Sequence, residues 1–279
     1  MDTAQPPRPV FTTHLFTKLE RLLFELLRSL DADEWERQTV APLWRVKDVA
    51  AHLLDTQLRK LSVVRDEYAP DSPALASPAH LVAFVNRLNH EGVSVYRRLS
   101  PKVLISLMEF ASRESDEYQR SLDPFAKARF AVGWAGEEES QNWFDTAREY
   151  TERWHHQQQI RTATDKPGIM TREFYHPVLD TFMRALPFHY RDVKAKAGSL
   201  AQFTVSGECG GSWHLYRDEK NWNLIEAPFG NKVSEVVIPQ EIAWRIFTKG
   251  IDRLSARDQV SVNGDEIGLH VLSMLSIIG

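Results

Sequence analysis

The stretch "EYTERWHHQQQIR", residues 149–161, decides how the helical part of this chain has to be built. In a helix Glu152 and His156 stand four residues apart and project from the same side of consecutive turns, whereas His155 points elsewhere. That spacing makes Glu152 and His156 a possible pair of metal ligands, and a third ligand must come from another segment. On the same helix Trp143, Ala147, Tyr150 and Trp154 form the core stripe, and Glu152 and His156 point away from it. Either a bend in the bundle or the C-terminal part of the chain must enclose them. Without such cover a Glu/His pair at this spacing is an ordinary solvated face.

Around that helix the chain reads as a bundle followed by a small mixed unit. Leu15, Leu19, Leu22, Leu23, Leu26 and Leu27 recur at helical spacing in "HLFTKLERLLFELLRSL", and "DADEW" then supplies turn and N-cap chemistry. A second helix is expected over 46–64, and "APDSPALASP" is the clearest break before a third over 80–99. Ser100 and Pro101 read as N-cap and first residue of a helix reaching about Tyr118. The long helix follows the acidic "GEEES" and is ended by "DKPG"; another spans roughly 171–193, interrupted or bent near Pro187. After "KAKAGSL" the period becomes alternating, and "AQFTVSG", "SWHLYR", "NWNLIE" and "SEVVIP" are four candidate strands. "PQEIAWRIFTKG" and "GLHVLSMLSIIG" read as closing helices. The expected fold is α+β, a four-helix bundle over residues 1–195 and a small α+β domain with an antiparallel sheet over 196–279.

Composition narrows the function. With 279 residues, 43% hydrophobic, 26% charged and a net charge of -4, the chain is that of a globular protein, and no basic excess marks nucleic acid or an anionic membrane as a partner. "MDTAQPPRPVF" lacks the apolar core of a signal peptide, and no apolar run approaches the roughly 18 residues of a membrane span, so the expected location is cytoplasmic. Cys209 is the single cysteine. An intramolecular disulfide and a multi-cysteine metal site are therefore excluded, and any metal must be held by His, Asp or Glu.

His52, in "WRVKDVAAHLLDTQLRK", falls at the edge of the Val/Leu stripe of the second helix, from where a side chain can reach a groove between helices. With Glu152 and His156 it would complete a two-histidine, one-carboxylate site, the kind that leaves coordination positions open for water or substrate. A histidine at the edge of an apolar face is more often simply packed, and the spacing alone does not decide between the two readings.

Both segments resemble those of the DinB-like helical bundles, and within them the mycothiol-dependent maleylpyruvate isomerase-like proteins. The resemblance rests on Trp44, Val46, Lys47, Asp48, Val49, His52 and Asp55, and on Glu152-Arg153-Trp154-His155-His156. It implies a four-helix core holding a divalent metal, zinc in the isomerase, through His52, Glu152 and His156, followed by a domain similar to sterol-carrier proteins. It further implies a low-molecular-weight thiol, mycothiol or a similar compound, as cosubstrate beside a small-molecule electrophile. The thiol would be activated for isomerisation or S-transfer with no nucleophile from the protein. Asp48 or Asp55 would orient a ligand histidine through its second N–H. Two departures stand out. Relatives often carry aspartate where this chain has Gln159, and the doubled His155 is an alternative ligand. An arginine of the second domain assists the isomerase, and Arg217, Arg245, Arg253 and Arg257 are the candidates.

Two other functions fit the same residues: a non-catalytic protein holding a lipid or other small molecule in its C-terminal unit, and a metal-dependent hydrolase. Cys209, among glycines at an expected hairpin, has no evident base beside it, and those glycines lack the Gly-Lys-Ser/Thr of a phosphate loop. Trp213, Trp222 and Trp244 are simplest as packing, and His176 and His189 as polar packing.

Overall fold

The structure, a computed structural model, describes residues 5–70, 73 and 77–277. Half of the "APDSPALASP" break lies outside the described residues, as do 1–4, 278 and 279. Helix α1 (Phe16–Arg28) buries Phe16, Leu19, Leu23, Leu26 and Leu27, the apolar row of its sequence. Short α2 (Ala32–Trp35) is closed by a reciprocal cap in which Asp31 accepts the Glu34 N–H at 2.8 Å and Glu34 accepts the Asp31 N–H at 2.9 Å. Helix α3 (Val46–Lys60) continues into one wide turn, Leu61–Arg65. Then come α4 (Pro78–Tyr96) and α5 (Pro101–Ser121), capped by Ser77 and Ser100, of which the second is the cap the sequence predicts. Helix α6 (Asn142–Thr164) stops where Asp165 turns left-handed. The helix expected after it is interrupted near Pro187, giving α7 (Arg172–Met183) and α8 (Leu186–His189), with Pro187 in the first turn of the second.

Helices α1 and α3 each pack against both α5 and α6, which makes the four-helix bundle. Its central polar knot is Arg153 on α6, 2% exposed. The guanidinium donates to Glu20 (3.0 Å) of α1, and to Asp116 (3.1 Å) and Ser115 (2.6 Å) of α5. It also lies 4.5 Å from the Phe16 ring centre. A buried cation needs this much coordination, because its lost hydration must be replaced donor by donor.

The C-terminal sheet consists of β1 (Ser199–Ser206), β2 (Gly211–Arg217), β3 (Trp222–Ile225), β4 (Asn231–Pro239) and β5 (Ser261–Gly264) in the order β3-β2-β1-β4-β5. It is mixed, not antiparallel as expected, because β4 runs parallel to β1. Alternation reveals strands but not their order in space. After the four-residue β3 the chain does not form another hairpin; it crosses the end of the sheet through 226–230 and re-enters beside the start of β1, where Asn231 pairs with Ser199. Gly230 permits the crossing: its φ is +95°, and a Cβ there would meet the Gly198 carbonyl oxygen at 2.6 Å and the Tyr216 ring at 2.9 Å. The fifth strand was not expected at all. The last apolar segment is a 3-10 helix, Glu266–Ser273, followed by extended chain in which the Ser276 N–H bonds to the Phe247 carbonyl at 3.0 Å. Helices α9 (Gln240–Phe247) and α10 (Arg253–Arg257) complete the unit.

One apolar cluster runs from α1 through Tyr150 and Trp154 of α6 and through α7 to the sheet and α9. Trp154 stacks on Tyr175 at 4.4 Å and meets Trp244 edge-on at 6.2 Å. Trp213 donates to Asp180 (2.9 Å) and Trp222 to the Val193 carbonyl (2.8 Å), so all three tryptophans of the C-terminal unit are packing residues. A second cluster fills the space between α1, α3 and α5.

Replacing Arg153 by Ala leaves Glu20 and Asp116 buried without their cation. The expected loss is about 3–5 kcal/mol of unfolding free energy, measured by urea denaturation.

Candidate metal centre

Helix α6 divides its circumference among three neighbours. Tyr150 and Trp154 face α7 and the sheet, Arg153 faces α1 and α5, and the remaining side, carrying Glu152 and His156, meets α3. The cover that the sequence required is thus α3 and the segment before it. His52, 4% exposed, sits edge-on to His156 with ring centres 4.6 Å apart, and the Trp44 indole lies 4.5 Å from His52 and 5.8 Å from His156. Glu152 stands with one oxygen 3.6 Å from His156 Nε2 and remains the open side of the cluster, its side chain 28% exposed. The structure places His52 beside His156 and Glu152 beside His156, while the donor atoms that lie within 4.8 Å of one another are those of Glu152, His155 and His156, without His52.

Hydrogen bonds settle the ring orientations. His156 Nδ1 lies 2.9 Å from Gln159 Oε1 and His155 Nδ1 lies 2.9 Å from the Thr151 carbonyl oxygen. Both partners only accept, so each Nδ1 carries the proton, and in the ligating form each Nε2 presents a lone pair. The donor atoms of Glu152, His155 and His156 lie within 4.8 Å of one another. Lone pairs converging on a carboxylate repel unless a cation stands among them. His52 Nδ1 is buried with no hydrogen-bond partner. These observations fit a divalent ion held by imidazole and carboxylate, donors that suit zinc and its neighbours.

Electrostatics favour the ligating protonation states. Burial, reinforced by the neighbouring His156, pushes His52 well below its ordinary value and His155 down to about 3. Burial alone would raise the Glu152 carboxyl, but its contact with His156 and the positive charge of flanking side chains, Arg148 among them, hold it at about 2. One turn further along, Lys60 of α3 bonds Glu149 (3.0 Å) and Asp145 (3.3 Å), and Arg148 bonds Asp145 (2.6 Å). Asp145, Glu149, Glu152 and His156 form a single i, i+4, i+7, i+11 row, a signal present in the sequence that identifies this side as the α3 contact.

Other expectations change. Asp48 accepts the Arg45 N–H at 3.1 Å and pairs with Arg97, while Asp55 pairs with Arg59 at 2.7 Å. Neither reaches the free nitrogen of His52, because helix capping and an (i, i+4) ion pair already claim them. The residues that do orient ring nitrogens are Gln159 and Thr151. Trp44 belongs to the quoted motif, but its role as a cover was not foreseen. None of Arg217, Arg245, Arg253 and Arg257 makes a hydrogen bond or ion pair to the cluster among the described residues; Arg245 donates to the Gly250 carbonyl at 3.0 Å. Cys209 is buried, and burial raises its thiol, the opposite of an activated nucleophile. His176 bonds the Cys209 carbonyl and His189 the His270 carbonyl. A cleft of about 580 Å³ beside Trp143, Phe144, Arg184 and Tyr216 is lined by no residue of the cluster.

The molecule is thus an α+β protein whose helical bundle carries a histidine and carboxylate cluster between two of its helices. The family model of the mycothiol maleylpyruvate isomerase N-terminal domain matches residues 16–161, and the chain belongs to that family. Among solved structures, a histidine-to-alanine mutant of mycothiol-dependent maleylpyruvate isomerase is 14% identical, with a TM-score of 0.50 over 90% of this chain and 92% of that one. Another, mycothiol-dependent maleylpyruvate isomerase itself, is 14% identical, with a TM-score of 0.45 over 84% and 88%. At such identity the likeness speaks for the fold alone. No curated protein matches the chain by sequence. No helix among the described residues is long and apolar enough to cross a membrane.

Folding holds His52 and His155 below the unfolded value, so below about pH 6.5 the unfolded chain takes up more protons than the native one and stability falls with pH. Between pH 7 and pH 5 His155 alone should cost about 2 kcal/mol, with His52 acting in the same direction. Urea midpoints of the metal-free protein at the two pH values test this.

Proposed function

We propose that the protein is a metal-dependent enzyme that uses a low-molecular-weight thiol, mycothiol or a similar compound, to isomerise a small electrophile or transfer sulfur to it, in the manner of a maleylpyruvate isomerase. His52, Glu152 and His156 hold the metal, zinc in the first instance. The reading is carried by the convergence of two imidazoles and a carboxylate from α3 and α6, with Glu152 forming the open side. Membership of the family, and the likeness to a solved mycothiol-dependent maleylpyruvate isomerase, support the thiol.

A divalent ion there supplies one thing, a strongly lowered pKa for a coordinated thiol. The chain's own side chains do the rest. Glu152 offsets the ion's charge, Gln159 fixes the His156 tautomer, and Trp44 shields His52 and His156 from one side. No protein nucleophile is needed. In the isomerisation the thiolate sulfur bonds to one carbon of a cis double bond conjugated to a carbonyl, and the π electron pair moves to the carbonyl oxygen. The former double bond rotates as a single bond. Return of the electron pair restores the double bond in the trans form and expels the thiolate. In this scheme residues 1–195 are the metal-binding domain and 196–279 the sterol-carrier-like domain.

Elemental analysis should find about one metal per chain, and the loaded protein should convert maleylpyruvate only when the thiol is present. His52→Ala and Glu152→Gln should lose the metal and at least about 100-fold in turnover while keeping the helical circular dichroism, since each removes a donor. A protein that takes up no zinc, or turnover indifferent to both changes, overturns the proposal. Gln159→Ala leaves the ligands in place but frees the His156 ring, and metal affinity measured by chelator competition should fall about 10–100-fold.

A further inference from the structure

We infer that His155 is a fourth protein ligand of the metal centre, beside His52, Glu152 and His156. The inference deepens the proposed function and rests on its metal site.

The geometry begins with the helix. At about 100° per residue, His155 lies about 60° to one side of Glu152 and His156 about 40° to the other, so the carboxylate is flanked by both rings. A side chain that packs only as a hydrophobe has no reason to aim a nitrogen at a carboxylate. His155, 2% exposed, is nevertheless one of the three residues whose donor atoms lie within 4.8 Å of one another, together with Glu152 and His156. His52 stands outside that group, but its ring, carried by α3, lies 4.6 Å from that of His156.

The second observation is chemical. His155 gives its Nδ1–H to the Thr151 carbonyl at 2.9 Å, the arrangement that fixes a ligating histidine with Nε2 as the lone-pair atom. No hydrogen bond to that Nε2 is found among the described residues. A lone pair without a donor, in a group formed with a carboxylate and a second imidazole, is disposed to bind a cation.

Four protein donors change what the centre can admit. A tetrahedral ion bound by three protein groups has a vacant position, whereas one bound by His52, Glu152, His155 and His156 has none. With four donors from the chain, a thiol could join the centre only as an additional or a replacing donor. The centre accordingly favours ions that tolerate more than four donors, and imidazole serves iron and nickel as well as zinc.

X-ray absorption of the zinc-loaded wild type counts imidazoles directly and needs no variant. Three imidazoles are expected, falling to two in His155→Gln. Zinc affinity of that variant, from competition with a chromophoric chelator, should drop at least tenfold, with unfolding of the metal-free protein serving as the folding control. Two imidazoles in the wild type, or an affinity unchanged by H155Q, overturn the assignment of His155 and leave the three-ligand site standing. A wild type that takes up no zinc overturns the metal site itself and this inference with it.

Discussion

Everything in this fold is referred to the rotation of α6, and a single buried guanidinium sets that rotation. Arg153 is tied to α1 through Glu20 and to α5 through Asp116 and Ser115, and a charge so deeply enclosed cannot turn away without losing all of these partners at once. Once that row is locked, the rest of the circumference follows from helix geometry. Trp154 is delivered to the stack with Tyr175 and Trp244, and Glu152 and His156 are delivered to His52. The absence of a clean apolar face on α6 is the signature of a helix with neighbours on every side.

The side facing α3 is a ladder of alternating charge. Asp145 and Glu149 are held ionised against burial by Lys60 and Arg148, with Asp145 at about 2. The next acid along the row, Glu152, has no lysine or arginine in bonding contact among the described residues, and histidines take that place. Under the proposed function the metal ion supplies the last counter-charge of this row.

Much of this was legible from residues alone, for identifiable reasons. Helices α1 and α3 declare themselves by leucine and valine rows, and α5 by the Ser100-Pro101 pair at its start, because capping and burial act within a few residues. The alliance of His52 with Glu152 and His156 required the family resemblance, since 100 positions of sequence carry no local trace of proximity. What stayed hidden was set by distant geometry. The parallel placement of β4 depends on a crossing that only Gly230 betrays, and β5 pairs with β4 through an exposed, weakly alternating segment. Asp48 and Asp55 looked available for His52 because their own partners, Arg97 and Arg59, are chosen by packing. The ring-orienting role of Gln159 was visible only as a departure from a pattern.

The position of β1 has an effect on biosynthesis. As the innermost strand it needs β2 on one flank and β4 on the other. During synthesis β2 and β3 leave the ribosome directly behind it, so one flank is closed early. The other remains a bare row of amide and carbonyl groups until the chain has passed Asn231. A nascent polypeptide stalled in that interval would expose a sticky flank, which makes it a natural client for chaperones and a hazard if translation is cut short.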